Sequence, residues 1–242
     1  MVDPDYLERV RVVSNDKNGY AQVSEDVWPK DKDTLFPLQA GLGYAIVQTL
    51  FYAKRQVVVE GITDYKILKA FSSLLSQKKM SSLRHVAIVP CGGVNKLLPL
   101  ASMLYGHEIK LGIVVDGDEP GKRKGKEVTD RLSLNCLFMN TYAQKKEAEI
   151  EDLFPEKVYL DAVKEAYPDV KMPIQFTSDE LKIQCITKRI AAAFDRLVVG
   201  PFEKWGPSRI LVDWIWSKPE LFTKKTLQKF EDIFKALNKI LA

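Results

Sequence analysis

The sequence predicts an α/β fold: a parallel sheet flanked by helices, with an added helical subdomain. Three observations carry that expectation. Val57-Val58-Val59 and Ile113-Val114-Val115 are short runs of β-branched residues, the composition of strands covered on both faces. Each run ends on acid, Glu60 after the first and Asp116-Gly117-Asp118 after the second. Between and beyond them, segments with apolar residues at helical spacing alternate with further strand-like runs, the order of βαβ units.

Residues 1–34 are polar and irregular, with a turn at Asn15-Asp16-Lys17-Asn18-Gly19 and room for a short strand or two. Pro37 then opens a helix with Leu38, Leu42, Ile46 and Leu50 on one stripe. Residues 1–54 therefore read as a connector and a packing helix. The first core strand is 56–60. Thr63 or Asp64 caps the helix that follows, which buries Tyr65, Leu68, Phe71, Leu74 and Leu75 and sets Asp64 in its first turn, near Glu60. A second strand at 85–89 leads into Pro90-Cys91-Gly92-Gly93, whose glycines permit a sharp turn or a close ligand. Residues 94–106 form a helix with Leu97, Leu98, Ala101 and Leu104 inward. The third strand carries the Asp-Gly-Asp, a short helix runs to Leu132, and a fourth strand spans 136–139. These segments make a core over 55–154. Beyond it, 156–167, 178–197, 208–216 and 223–241 read as helices, giving a helical subdomain at 155–242. Ser178-Asp179-Glu180-Leu181 serves as a cap, and Leu227, Phe230, Ile233, Phe234 and Leu237 form a buried stripe.

In parallel sheets ligands gather at the carboxyl ends of the strands. If the two acid-ended strands are neighbours, Glu60, Asp64, Asp116 and Asp118 converge on one rim. Carboxylates so crowded repel and raise one another's pKa, which calls for a hard divalent cation with oxygen ligands, Mg²⁺ or Mn²⁺. An Asp-x-Asp also occurs in phosphatases and receiver domains, but those need a Lys and hydroxyl partners at their own spacings. More acids lie in Glu147-Ala148-Glu149-Ile150-Glu151-Asp152-Leu153-Phe154. If 149–154 is a helical turn burying Ile150, Leu153 and Phe154, then Glu149 and Glu151 flank that face and Asp152 points to solvent. Periodicity does not choose between the two glutamates. Lys122, Arg123, Lys124 and Lys126 follow the third strand's acids, where a phosphate backbone would run; a solvated helix face is the plainer reading. Gly117-Asp118-Glu119-Pro120-Gly121-Lys122 imitates a P-loop, yet has three residues between its glycines and no Ser or Thr after the Lys, so no ATP site is expected.

The pairing of Glu60-Gly61 with Asp116-Gly117-Asp118 resembles the Toprim domain, a metal-binding module shared by topoisomerases, bacterial primases and several nucleases. Asp64, four residues after Glu60, narrows the resemblance to the OLD (overcoming lysogenisation defect) family. The resemblance covers about 55–154, and the lead-in over 35–51 is similar as well. It implies a Rossmann-like Toprim sheet and a metal-dependent DNA endonuclease or nickase that uses two Mg²⁺ or Mn²⁺ ions. It further implies Glu60, Asp64, Asp116, Asp118 and Glu151 as metal ligands, with Glu60, Asp116, Glu151 and Lys188 in the chemistry. Glu151 matches the acid that opens a Glu-Asp-apolar-apolar run, and Lys188-Arg189-Ile190-Ala191 matches a basic residue in a later helix; a solvated helix lysine remains the alternative for Lys188. OLD proteins carry an ATPase domain before Toprim, so such a domain is expected upstream and this chain looks like the C-terminal nuclease half. An RNA-processing nuclease, a primase-like polymerase and a non-catalytic nucleic-acid-binding module stay open. Topoisomerase chemistry lacks a candidate tyrosine in a recognisable nucleophile domain.

Composition bounds the rest. The formal net charge is +4, which permits a DNA partner without demanding one. Cys91, Cys136 and Cys185 are odd in number and scattered, and His85 and His107 are the only histidines, which argues against both a disulfide framework and structural zinc. Cys91 lies near the rim, where packing is preferred to a redox role. The acidic Met1-Val2-Asp3-Pro4-Asp5 has no signal-peptide core, and no apolar run nears the ~20 residues that cross a bilayer, so a cytoplasmic protein without membrane contact is expected.

Overall fold

The computed structural model describes residues 12–15, 20–24, 53–105, 109–171 and 173–242. The chain divides into two units, Met1–Ala53 and Lys54–Ala242. In the first, β1 (Val12–Asn15) pairs antiparallel with β2 (Ala21–Ser24), Asn15 opposite Ala21, so two short strands do form in the polar leader. The stripe Leu38, Leu42, Ile46 and Leu50 lies outside the described residues.

The second unit is built on four parallel strands: β3 (Arg55–Val59), β4 (Ala87–Pro90), β5 (Lys110–Val115) and β6 (Cys136–Phe138), in the order β4-β3-β5-β6. The two acid-ended strands are therefore adjacent, with Val58 opposite Ile113. Val57, Val58, Val59, Ile113, Val114 and Val115 are buried, as strands covered on both faces require. Each valine so buried contributes about 1.5–3 kcal/mol of transfer free energy.

The helix after β3, α1 (Ile62–Gln77), has Gly61 in its cap position rather than Thr63 or Asp64. Asp64 sits three residues further on, and its Oδ2 accepts from the Gly61 amide at 2.7 Å, satisfying one of the free donors of the helix start. Leu68, Phe71, Leu74 and Leu75 are buried and Tyr65 is partly so. After β4, a 3₁₀ turn at Val94–Lys96 precedes α2 (Leu97–Tyr105), which buries Leu97, Ala101 and Leu104 but leaves Leu98 half-buried. From β5, α3 (Glu119–Leu132) lies so close to the sheet that a Cβ on Gly125 would stand 2.7 Å from the Phe138 ring. The short α4 (Met139–Ala143) follows β6 directly.

Beyond a 3₁₀ turn at Ile150–Leu153 come α5 (Glu156–Ala166), α6 (Ile186–Leu197), α7 (Trp205–Ser217) and α8 (Lys224–Ile240). The helix expected over 178–197 is broken: Glu180–Lys182 form a 3₁₀ turn, and α6 starts only at Ile186. Capping decides this. The Thr177 amide donates to Glu180 Oε2 at 2.7 Å while Thr177 Oγ1 accepts from the Glu180 amide at 3.2 Å, so the reciprocal cap belongs to Thr177 rather than Ser178. Arg196 Nε then fastens Glu180 at 2.7 Å, and Arg189 Nε donates to the Ile183 carbonyl at 2.9 Å, holding the break open.

The core joins the late helices to the sheet. Phe71 of α1 stacks on Phe230 of α8 with centroids 3.7 Å apart, and Phe154 and Phe222 crowd the same ring at 5.6 and 5.5 Å. A Cβ on Gly112 would stand 2.9 Å from Leu237, so α8 packs directly on β5. No described helix is long and apolar enough to cross a membrane.

Candidate metal centre

Parallel strands point their carboxyl ends one way, so Glu60 after β3 and Asp116 after β5 emerge side by side. Glu60 Oε1 accepts from the Asp116 backbone amide at 2.9 Å, tying the two strand tips together. The loop after β4 closes over the same edge. Cys91 and Gly93 amides donate to the carbonyls of Val59 and Glu60 at 2.8 and 2.9 Å. Gly92 and Gly93 take φ of +76° and +112°, values that side chains disfavour. Cys91 itself is buried, its thiol pushed up to about 11 by burial, which fits packing rather than thiolate chemistry.

Asp116-Gly117-Asp118 turns within a tight space. A Cβ on Gly117 would stand 2.3 Å from that of Asn140, while the Gly117 amide reaches the Ala148 carbonyl at 2.7 Å. Asp118 caps α3, its Oδ1 accepting from the Gly121 amide at 2.9 Å. That amide is thereby occupied by a carboxylate, which removes the resemblance to a phosphate-cradling loop. Its Oδ2 meets Lys188 Nζ of α6 at 3.0 Å, and Lys188 also stands 3.6 Å from Glu147.

Residues 51–118, a stretch that takes in β3, α1, β4, α2 and β5 and ends on Asp118, match the model of the family described as "Overcoming lysogenization defect protein-like, TOPRIM domain". Over that stretch the chain is similar to the OLD-like Toprim domain. It is also 26% identical over 98% of its length to the uncharacterized protein MJECL43 of Methanocaldococcus jannaschii, and spans 62% of that protein. Toprim domains as a class act on nucleic acids, and the parallel sheet flanked by helices is the Toprim architecture.

The electrostatics of the Toprim edge are dominated by burial. Glu60 is pushed up to about 7 by desolvation, against the pull of the Asp116 amide and with the help of Asp64 and Asp118. Asp64 is raised chiefly by burial. Asp116 lies well above its usual range through burial and then the Asp64 charge. Glu151 is fully buried and pushed up to about 8, again by desolvation first. Its Oε1 lies 3.4 Å from Ser208 Oγ, and its Oε2 is buried with no hydrogen-bond partner.

Lys204 sits among these acids, and nothing in the sequence singles it out. Placed at the cap of α7, its Nζ pairs with Glu149 Oε2 at 2.9 Å and stands 3.9 Å from Glu151 Oε1. Burial alone would lower its pKa, yet Glu151, Glu149, Asp116 and Asp64 together hold it well above the ordinary value. The only advance signal is the spacing of Lys204 and Ser208, which sets both on one face of the first turn of α7.

The segment 149–154 corrects one expectation. Asp152 is buried rather than turned to solvent: its Oδ2 accepts from the Glu149 amide at 2.9 Å and its Oδ1 from the Ile186 amide at 3.1 Å, with Lys145 paired to it. The turn is 3₁₀, with three residues per turn, so residues 149 and 152 face each other and Asp152 becomes the internal cap. Glu149 and Glu151 do not diverge to opposite sides; both are met by Lys204.

Of the basic run, Lys122 donates to the Lys146 carbonyl at 2.9 Å and Lys124 pairs with Glu127 at 2.9 Å, while Arg123 and Lys126 are exposed. All four lie in the first two turns of α3, leading away from Asp118.

The donor set suits a hard cation: all ligand candidates are carboxylate oxygens, and one of them, Glu151 Oε2, is buried and unpartnered. Among the described residues no group of three or more His, Cys, Asp or Glu is drawn tightly enough together to hold an ion as it stands. An ammonium is interposed.

Proposed function

We propose that this protein is a metal-dependent DNA endonuclease or nickase that cleaves phosphodiester bonds through a two-metal Toprim site. The observation that carries the reading is the convergence of Glu60 and Asp116 at adjacent strand tips, with Asp64 in the first turn of the helix after Glu60, in a stretch similar to the OLD-like Toprim domain; burial first raises all three carboxyls. Such a cluster is costly for folding alone, since buried like charges destabilise the fold unless a cation compensates them. Glu60, Asp64, Asp116 and Asp118 would hold one Mg²⁺ or Mn²⁺, and Glu151, with Asp116 shared, a second. Bound there, the ions would supply a nucleophilic water and stabilise the leaving oxygen.

This chain's own groups have separate parts. The Asp116 amide orients Glu60, and the Gly61 amide orients Asp64, so both carboxylates are held by backbone. Lys188, half-exposed beside Asp118, would meet a phosphate oxygen at the rim. Arg123 and Lys126, exposed along α3, offer positive charge to the adjoining backbone. An upstream ATPase domain and a cytoplasmic location belong to the same reading, as does the division into a 1–54 connector, a 55–154 catalytic core and a 155–242 helical region.

A plasmid-nicking assay with Mg²⁺, Mn²⁺ or chelator tests it. Open-circular or linear product that requires the metal is the expected result. Cleavage of RNA but not DNA would move the protein to another Toprim activity. Metal-dependent binding without cleavage of either would leave a non-catalytic module.

A further inference from the structure

Lys204 is a half-buried cation that the proposed chemistry does not use. It reaches the acid cluster from a stretch that is itself anchored. Tyr167 Oη donates to the Glu203 carbonyl at 3.0 Å and accepts from the Glu203 amide at 2.8 Å, and Phe202 packs edge-on against Phe194 with centroids 5.3 Å apart. Lys204 follows at once and opens α7, directed at Glu149 and Glu151. Beside it stands the one oxygen of the cluster that is buried without a partner, Glu151 Oε2. A divalent ion on the Glu151 side would be surrounded by carboxylates that Lys204 already neutralises, and an ammonium and a metal ion cannot share that space without strong repulsion.

We infer that the Lys204 ammonium holds the place of one divalent cation in this cluster, so that filling the Glu149–Glu151 side exchanges an ion for a lysine. The inference rests on the metal-centre reading above and extends it. The two positions become unequal. The ion between Glu60, Asp64 and Asp118 meets only the outer Lys188, at Asp118, while the ion at Glu151 competes with a tethered cation held against fully buried carboxylate at high effective concentration. The metal-free protein is compensated internally, which lets its buried carboxylates fold before any ion arrives. Release of Lys204 needs only rotation of its long side chain, because Tyr167 fixes the backbone one residue earlier.

Metal binding rather than cleavage reads this out. Calorimetric titration of chelator-treated protein with Mn²⁺ should show two unequal sites in the wild type. Lys204→Gln should tighten the weaker one by about tenfold or more, the scale of a close charge pair, and Lys204→Arg should not. Equal Mn²⁺ affinity and stoichiometry in wild type and Lys204→Gln would overturn the exchange. An absence of Mn²⁺ binding in both would overturn the metal centre on which it stands. Because Lys204→Gln leaves buried charges uncompensated and can fail to fold without metal, a crystal structure of the wild type at saturating Mn²⁺ gives an independent decision. Lys204 Nζ should have left Glu149; an Nζ still paired to Glu149 with two ions bound would end the proposal.

Discussion

Two lysines bring the late helices to the acidic edge, and they meet it in different ways. Lys188 of α6 touches Asp118 and Glu147 at the outside, where the pair is partly open to solvent. Lys204 of α7, its side chain 34% exposed against 40% for Lys188, meets Glu149 and Glu151, and it is these partners that are buried, Glu151 fully. A solvated ion pair contributes little to stability, whereas breaking a buried one is costly. On the proposed reading the outer lysine serves a substrate. The inner one is committed to the charges around it.

The largest effect that would break this contrast is at the strand tips. Asp116→Asn should lower cleavage by more than ~100-fold, beyond what removal of a supporting partner costs, with circular dichroism unchanged. It removes a charge from a crowded interior, so the metal-free variant should melt no lower than the wild type. Normal nicking by Asp116→Asn would remove the inner cluster from the chemistry.

Next come the two glutamates that share Lys204. Glu151→Gln should lose most cleavage, because its unpartnered Oε2 is the free ligand position. Glu149→Gln should stay near wild type at saturating Mn²⁺, because on the proposed reading the ligand role falls to Glu151 and not to Glu149. The reverse pattern would exchange their parts.

A smaller effect separates the clusters by pH. Glu60 and Glu151 are raised to about 7 and 8, so the folded chain holds protons that the unfolded chain has released above its ordinary carboxylate range. Their contribution to stability is complete only below the ordinary value of 4.5 and is lost as pH rises from there through 7 and 8. The melting temperature of chelated protein should fall between pH 5 and pH 8, and Mn²⁺ should remove most of that slope. A rise over the same interval would show that the inner acids are ionised and compensated throughout.

The smallest effect lies outside. Replacing Lys122, Arg123 and Lys124 with Ala should lower the log–log salt slope of DNA binding by about 0.9 for each phosphate that is no longer neutralised. Lys122 and Lys124 already hold internal partners, so the expected fall corresponds more nearly to a single phosphate than to three. An unchanged slope would mark the run as solvated surface.

The outer region is the more legible of the two in the sequence. Valine runs ending in acid announce strands buried on both faces, while their adjacency comes from the order β4-β3-β5-β6. Asp64 falls in the first turn of its helix as expected, because four residues span little more than one turn. Asp152 departs from expectation because 149–154 is wound three residues per turn rather than 3.6, which turns a solvent position inward. The break before Ile186 is hidden because Thr177 and Glu180 cap each other ahead of the expected start. Lys204 leaves almost no trace: its partners lie 53 to 55 residues before it in sequence, and such pairings carry no local period.

The packing of α8 bears on the order in which the molecule is made. Arg55 Nε, at the start of the first core strand, donates to the Leu241 carbonyl at 3.0 Å, and Asn238 Nδ2 reaches the Ser82 carbonyl at 2.9 Å. The first core strand laid down is completed by the last described helix. During synthesis from the amino terminus, the part of the sheet around Gly112 stays uncovered on the α8 side until residues 224–240 emerge, and such long-range closure is slow. The acidic edge and its lysine thus come into being together, late, and only on a chain that has been read nearly to residue 242.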